Sequence, residues 1–276
     1  MLFSCRRFRF AIVALLLPVV FSMCKKNVVS DINDIIETET SDVIPVVYPI
    51  DTLIGGYYVG LPVHYAQTTK KYPVIIFLHG AGQMGNGNTD LSMILNDGIG
   101  KVLKDKKFPP NFKVGMENLS FLVFSPQTSG PPQVLNIGSF YAYVIKTYRV
   151  DPHRIYISGL SLGARVATLV AARFPKVFAA MVPIAGVAVN PGIELRCESI
   201  GRANLPVWEL HNEDDPLANV EDAKYFVNTI NSFNPRVPAK ITIFPVYGHD
   251  AWTTALDPSW KEEGMNIYEW MLQFTR

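Results

Sequence analysis

The most constraining feature of this 276-residue chain is a serine between two glycines, at a point where a strand pattern changes to a helix pattern. The apolar run 155–157 is typical of a buried strand, and the Ala-rich, amphipathic run 164–174 is typical of a helix. A turn this tight strains the backbone at Ser161, and side chains at Gly159 or Gly163 would collide with the neighbouring strand or helix. The pattern predicts that Ser161 lies at the carboxyl edge of a sheet, where its hydroxyl can act as a nucleophile.

Apolar runs that predict strands alternate with helical patterns along most of the chain. This alternation predicts an α/β protein with a mostly parallel central sheet and helices on both faces. No linker interrupts residues 45–276, so we expect one domain there. The predicted strands are 57–65 (an edge strand), 73–79, 121–124, 155–157, 179–182, 205–210 and 240–245, and the predicted helices are 91–103, 137–148, 164–174, 220–230 and 260–274.

A serine hydroxyl becomes a good nucleophile only when a base takes its proton and a third group orients that base. In an open parallel sheet, both partners should follow later strands at the carboxyl edge. Strand 205–210 leads into an acidic turn, and strand 240–245 leads into a loop with a histidine. We predict His249 as the base and Asp215 as the orienting acid, with Asp214 as the first alternative acid and Glu213 and Asp250 as the remaining ones. His211 is expected to brace the acidic turn.

The reaction at such a serine also requires N–H donors where the tetrahedral oxygen becomes negative. The backbone N–H of Leu162, the residue after the serine, is the first predicted donor. The second should lie in the glycine-rich loop after strand 73–79, with Ala81 as the first candidate and Gly82 as the next. That loop has neither G-x-G-x-x-G nor the Lys-Ser/Thr ending of a phosphate-binding loop, so we do not expect it to bind phosphate.

Composition excludes several other classes of protein. A net charge of +1 offers no electrostatic basis for binding nucleic acid. The three cysteines, Cys5, Cys24 and Cys197, neither suggest a disulfide framework nor show metal-ligand spacing. We therefore expect no metal and no cofactor.

The amino terminus has the parts of an export signal: three arginines before residue 10, an apolar run 10–21, and then Cys24. A helix of this run rises only about 18 Å, less than a hydrocarbon core of about 30 Å. Residues 1–24 resemble a bacterial lipoprotein signal, which implies lipidation of Cys24. Residues 25–44 are mostly polar and predict a flexible tether. We expect an exported cell-envelope protein whose only membrane contact is a lipid anchor at Cys24.

Several stretches together resemble the α/β-hydrolase superfamily, and most closely its esterases related to feruloyl and acetylxylan esterases and dienelactone hydrolases. The resemblance implies an α/β-hydrolase fold for residues 45–276 and a triad of Ser161, Asp215 and His249. The chain departs from the usual pattern at Gln83, where many relatives have Glu, and at Asn212, where Gly is common. The matching stretches are 71–82, 150–163, 174–180, 206–216 and 248–252.

The resemblance implies a serine hydrolase that cleaves carboxylic esters through an acyl-enzyme, with short-acyl or aromatic esters of carbohydrates as the expected substrates. Two alternatives remain: a serine peptidase related to prolyl oligopeptidases, and a non-catalytic binding protein on the same fold. Loops 83–90, 125–136 and 186–204 should decide specificity. Gln127, Trp208 and Trp252 are the candidates for lining the substrate site.

Overall fold

The computed structural model describes residues 35–276. Along this range strands and helices alternate, with one additional short hairpin. The strands are β1 Asp42–Val47, β2 Ile54–Leu61, β3 Tyr72–Leu78, β4 Phe112–Val114, β5 Glu117–Leu119, β6 Leu122–Thr128, β7 Val150–Leu160, β8 Ala180–Ile184, β9 Trp208–Asp214 and β10 Lys240–Tyr247. The α-helices are α1 Gly98–Lys104, α2 Val134–Thr147, α3 Leu162–Arg173, α4 Ile193–Arg202, α5 Val220–Ser232, α6 Trp252–Ala255 and α7 Ile267–Met271.

Eight of these strands form one sheet in the order β1-β2-β6-β3-β7-β8-β9-β10. Strand β2 is antiparallel to both β1 and β6, whereas every pair from β6 to β10 is parallel. The remaining strands, β4 and β5, form a separate antiparallel hairpin. The predicted architecture, a mostly parallel sheet, is therefore confirmed.

Helices cover both faces of the sheet, as predicted. Alternate residues of β7 enter two different cores: Ile155 and Ile157 pack on the side of α2 to α5, while Tyr156 and Leu160 pack on the side of α1 and α7. Each fully buried side chain of this size contributes about 1.5–3 kcal/mol to folding. Because these strands pair in parallel, the carboxyl ends of β3, β7, β8, β9 and β10 meet at one edge of the sheet.

The amino-terminal part of the described chain differs from the predicted tether 25–44. The Glu37 side chain is fully buried, and its Oε2 atom lies 2.9 Å from Nδ1 of His64. Strand β1 begins at Asp42 and pairs with β2 along its whole length, so β2 is not the predicted edge strand. Pro45 lies in β1, the strand at the edge of the sheet. Proline is tolerated in an edge strand because its missing N–H can face away from the neighbouring strand. The predicted signal 1–24, with Cys24, lies outside the described residues.

Two predicted helices are shorter in the structure. The predicted helix 260–274 is reduced to α7, because Gly264 takes a φ of +82° and Asn266 caps the helix, accepting from the N–H groups of Tyr268 and Glu269. The predicted helix 91–103 is split into a 3₁₀-helix, Leu91–Asn96, and α1. The break is at Asp97, which lies between the two helices with an extended backbone, φ −146° and ψ 172°. The apolar pattern continues across both breaks, so it does not mark where α1 and α7 begin.

The predicted loop 186–204 contains a helix, α4, which the sequence interpretation missed. Its buried residues, Ile193, Cys197 and Ile200, are spaced by four and three positions and join the core beside α5. This spacing is helical and is the signal that was available in the sequence. The segment that crosses the carboxyl edge of the sheet is consequently shorter than predicted.

Candidate active site

Ser161 lies at the turn between β7 and α3, with backbone angles φ +52° and ψ −119°. A non-glycine residue with positive φ is strained and persists only where its surroundings enforce it. A Cβ atom added to Gly159 would lie 2.6 Å from the carbonyl carbon of Gly163, and one added to Gly163 would overlap the carbonyl of Leu78. Only glycine at both positions lets β3, β7 and α3 come this close. The strain presents the Ser161 hydroxyl at the sheet edge.

The structure brings Ser161 together with both predicted partners. Nε2 of His249 lies 2.8 Å from Oγ of Ser161, and Nδ1 of His249 lies 2.7 Å from Oδ2 of Asp215. The side chain of His249 is 17% exposed, whereas that of Asp215 is fully buried. A carboxylate accepts at Nδ1–H, so the hydrogen on His249 is on Nδ1, and Nε2 is free to accept the serine proton.

The environment keeps the Asp215 carboxyl ionised. Burial alone raises the pKa of Asp215, but hydrogen bonds from His249 and from the backbone N–H groups of Ala218 and Leu217 outweigh it. The two N–H groups lie 3.0 and 2.8 Å from Oδ1. The pKa of Asp215 therefore lies below its ordinary value, and the carboxylate can stabilise a cationic imidazole.

The alternative acid, Asp214, contributes its backbone and not its carboxylate to the site. It is the last residue of β9, its side chain is exposed, and its backbone carbonyl accepts from the N–H of Gly248 at 3.1 Å. The side-chain amide of Asn212 donates to the Gly248 carbonyl at 2.8 Å. Asn212, a departure from the family pattern, thus helps hold the loop that carries His249.

A cavity of about 880 Å³ opens above Ser161 and His249. Both predicted N–H donors, those of Leu162 and Ala81, belong to residues that line it. Leu162 is the first residue of α3, and Ala81 is the first residue of a 3₁₀-helix, Ala81–Gln83. Backbone N–H groups in the first turn of a helix have no acceptor within the helix, so they are free to bind an anionic oxygen.

Gln127 does not line this cavity, contrary to the prediction. It is fully buried, and its Oε1 atom accepts from the N–H of Gly87 at 2.9 Å. Its Nε2 atom donates to the carbonyls of Gln83 at 3.0 Å and Asp90 at 2.8 Å. Gln127 is at the end of β6, so it ties the glycine-rich loop to the sheet.

Gln127→Leu should loosen the glycine-rich loop while β6 remains in place. Leucine has a similar size but leaves the N–H of Gly87 and two carbonyls without their partner, which should destabilise the fold by about 1–3 kcal/mol. We expect kcat for an ester to fall more than KM rises, measured beside the melting temperature. Gln127→Glu retains the acceptor for the N–H of Gly87 but loses the donor to the two carbonyls, so its kcat should fall as well. Full kcat in Gln127→Leu would contradict the bracing role.

Of the two tryptophan candidates, only Trp252 lies at the cavity. Its ring meets that of His249 edge-on, with centroids 5.2 Å apart, and its Nε1 donates to Oδ1 of Asp97 at 3.2 Å. Trp208 is fully buried and packs against Trp260 and Trp270 in the core. Trp208 therefore has no access to a substrate.

Among residues 35–276 no cluster of three or more His, Cys, Asp or Glu side chains could hold a metal ion. No helix in this range is long and apolar enough to cross a membrane. The chemistry that this edge of the sheet offers is that of the serine, the imidazole and the carboxylate.

Known proteins resemble this chain in sequence and in fold. A poly(3-hydroxyalkanoate) depolymerase C of Paucimonas lemoignei is 29% identical over 126 residues, which cover 41% of this chain and 28% of that protein. A thermostable esterase superposes with a TM-score of 0.56 at 21% identity, over 87% of this chain and 64% of the other. A ferulic acid esterase superposes with a TM-score of 0.55 at 18% identity, over 79% and 95% of the two chains.

The structural likeness shows that residues 35–276 have the α/β-hydrolase fold. The depolymerase extends well beyond the part that this chain matches, since just over a quarter of it is covered. A family model described as "Esterase PHB depolymerase" matches residues 56–194, which is half of the chain and runs from β2 through Ser161 into α4. The chain therefore belongs to the Esterase PHB depolymerase family.

Proposed function

We propose that this protein is a serine hydrolase that cleaves carboxylic esters, with Ser161 as nucleophile, His249 as general base and Asp215 as the acid that orients it. The observation that carries the proposal is the unbroken line of hydrogen bonds from Asp215 through His249 to Ser161, at 2.7 and 2.8 Å. Family membership supports ester hydrolysis over the peptidase alternative.

In the proposed reaction, Oγ of Ser161 attacks the ester carbonyl while Nε2 of His249 takes its proton. The carbonyl oxygen becomes negative in the tetrahedral intermediate, and the N–H groups of Leu162 and Ala81 stabilise it. His249 then gives the proton to the departing alcohol, which leaves an acyl-enzyme. Water, activated by His249 in the same way, releases the acid and restores Ser161.

The test is to label the protein with a fluorophosphonate probe and to measure hydrolysis of p-nitrophenyl acetate. We expect stoichiometric labelling at Ser161, located by peptide mass spectrometry, with loss of ester hydrolysis in proportion to labelling. A protein that hydrolyses a dipeptide anilide faster than the ester would support the peptidase alternative. A folded protein that neither labels nor turns over would support the non-catalytic binding protein.

For substrates, we propose short-acyl or aromatic esters of carbohydrates. The open cavity beside Ser161 has room for a sugar or an aryl acid, and Trp252 offers it an aromatic wall. A feruloyl esterase module of Clostridium thermocellum complexed with sinapinate shares the fold, with a TM-score of 0.53. An aromatic acid on a sugar is therefore the first ester to test.

Trp252→Ala should raise KM for feruloylated or acetylated oligosaccharides about tenfold, because one stacking surface is lost in ground state and transition state alike. It should change the rate on p-nitrophenyl acetate much less. Trp252→Phe, which keeps an aromatic ring but not the bond to Asp97, is the matched control. Equal losses on both substrates would instead show that Trp252 supports His249 by packing.

A second candidate substrate is an aliphatic polyester such as a poly(3-hydroxyalkanoate), the substrate in the name of the Paucimonas lemoignei relative. An apolar side chain at the cavity favours it: Leu217 lines the cavity and is 77% exposed. Exposed apolar groups at a site mouth suit an apolar polymer. Soluble 3-hydroxybutyrate oligomers, tested beside feruloylated oligosaccharides, decide between the two.

We further propose that the protein is exported and held at the cell envelope by a lipid at Cys24. Cys24→Ser should move the protein from the membrane fraction to a soluble one, or stall its processing, because the acyl chains of a mature lipoprotein supply the membrane affinity. The native amino terminus, measured by mass spectrometry, gives the direct answer. An unmodified amino terminus at residue 25 or later would contradict lipidation.

A further inference from the structure

Two buried titratable side chains lie behind Asp215 and have no part in the proposed chemistry. Glu209 and His211 are both fully buried on β9. They are two positions apart, so they point to the same face of the sheet. Oε2 of Glu209 has no hydrogen-bond partner in the described part of the chain. Packing alone does not account for a buried carboxyl with an unpaired oxygen, since an apolar side chain would cost less to bury.

His211 connects Glu209 to the loop that carries Asp215. Its Nδ1 atom lies 3.1 Å from Oε1 of Glu209, and its Nε2 atom lies 3.0 Å from the carbonyl oxygen of Ala218 and 3.4 Å from Oδ2 of Asp215. A carbonyl oxygen can only accept, so Nε2 must carry a hydrogen. That hydrogen points toward Ala218 and toward the carboxylate oxygen that binds His249.

The Glu209 carboxyl keeps this hydrogen in place whichever of the two groups holds the shared proton. A Glu209 carboxylate accepts from Nδ1–H of a cationic His211, and a protonated Glu209 donates to Nδ1 of a neutral His211. Burial raises the pKa of Glu209 to about 7, although the bond to His211 partly opposes it. Burial lowers the pKa of His211, but the hydrogen bond and charge of Glu209 outweigh burial and raise it. With no proton between them, the lone pair on Nδ1 of His211 would face a carboxylate oxygen of Glu209, and both groups are acceptors.

The surroundings of the pair are otherwise nearly free of charge. On α5 the buried side chains are the apolar Ala223, Phe226, Val227 and Ile230, and on α4 the buried Cys197 thiol is neutral because burial raises its pKa to about 12. The neighbouring strand β10 places isoleucines beside Glu209 and His211. Asp215, with His249 beyond it, is the charged group that acts on the pair.

We propose that Glu209 is a positioning residue that, through His211, holds Asp215 and its loop under His249. The pair forms a second acid–imidazole unit behind the first: Glu209 orients His211 as Asp215 orients His249. This inference rests on the proposed hydrolase function and adds to it the residues that determine the placement of the acid.

Two substitutions of Glu209 test the inference. In Glu209→Gln the side-chain amide can donate to Nδ1 of His211, so Nε2–H is retained and kcat should stay within about threefold of wild type. In Glu209→Met the partner of Nδ1 is lost, the ring can turn, and kcat should fall about tenfold with KM unchanged, as expected when a reacting group is displaced. The melting temperature of Glu209→Met should fall, because the buried Nδ1 of His211 loses its partner, so kcat is measured well below the unfolding transition.

A pH profile provides a readout that a merely structural role would not change. His211→Phe removes a donor from Asp215, which leaves more negative charge on the oxygen facing His249. The pH at which kcat/KM is half-maximal should therefore rise by about half a unit, as the cationic imidazole becomes more favourable. His211→Gln, whose amide can replace Nε2–H, should restore the wild-type profile. His153→Phe is the control, because His153 is exposed near the amino-terminal end of β7, away from the carboxyl edge, and the pH profile should not change.

The outcomes are distinguishable. Wild-type kcat and an unchanged pH midpoint in folded Glu209→Met and His211→Phe would overturn the inference, as would equal losses in Glu209→Gln and Glu209→Met. If His211→Phe does not fold, the two Glu209 variants decide the question alone. Full ester hydrolysis by Ser161→Ala would overturn the proposed function itself, whereas an inactive Ser161→Ala with a fully active Glu209→Met would overturn only the inference.

Discussion

Ser161→Ala should reduce ester turnover by about four to six orders of magnitude, because no other described group can take the place of its hydroxyl at His249. Nε2 of His249 lies 2.8 Å from that hydroxyl, and the backbone at this position is held by β7 and α3 rather than by the side chain. We therefore expect the variant to fold with an unchanged melting temperature. The rate is measured on p-nitrophenyl acetate, and labelling by a fluorophosphonate should disappear in parallel.

The matched control is Ser232→Ala, at an exposed serine that ends α5 and whose hydroxyl donates to the carbonyl of Thr229. Its activity should equal that of the wild type. Retention of even a tenth of the wild-type rate in Ser161→Ala would rule out Ser161 as the nucleophile and, with it, the proposed mechanism.

Asp215→Asn should reduce kcat by about three to four orders of magnitude, because the amide can present a donor to Nδ1 and turn His249 into the wrong tautomer. His249→Ala should be at least as damaging, since it removes the base. Asp214→Asn is the matched control one position earlier. The side chain of Asp214 is exposed, and only its backbone carbonyl, which the substitution keeps, bonds to Gly248. The kcat of this variant should therefore change less than threefold. The opposite ranking would assign the orienting role to Asp214.

The same arrangement has a pH signature. Asp215 should add no ionisation near neutrality to the pH profile of activity, because its pKa is held below the ordinary value. A depressed carboxyl pKa stabilises the fold above about pH 4, and that contribution disappears as the pH falls through the lower folded value. The melting temperature should therefore fall at acid pH, and by a smaller amount in Asp215→Asn.

Local sequence patterns determine the elements of this fold because each pattern describes a short segment by itself. The turn at Ser161 is readable since glycines on both sides are a steric requirement of a strand that reverses into a helix. The order of serine, acid and histidine along the chain is readable because parallel strands place their carboxyl ends at one edge. Local patterns failed for the predicted helix 260–274, which begins only at Ile267, after Gly264 with its positive φ and the capping residue Asn266.

Other features depend on residues that are distant in sequence, so no local pattern encodes them. The chain from residue 35 packs onto the domain because Glu37 hydrogen-bonds to His64 and β1 pairs with the free edge of β2. Gln127 binds the glycine-rich loop and does not line the cavity, because Gly87 and Gln83 of that loop lie within hydrogen-bond distance of its side chain.

The sequence by itself thus determined the strand-and-helix alternation, the serine at the turn between strand and helix, and a short set of candidate acids. Only the tertiary structure decided which acid faces His249, since consecutive residues at the end of β9 differ in burial: Asp214 points to solvent and Asp215 inward. The tertiary structure also decided that the Glu209 carboxyl contacts Nδ1 of His211, on the side of the ring away from Asp215. Both outcomes depend on distances of about 3 Å between side chains from separate segments, and such distances exist only once the sheet has assembled.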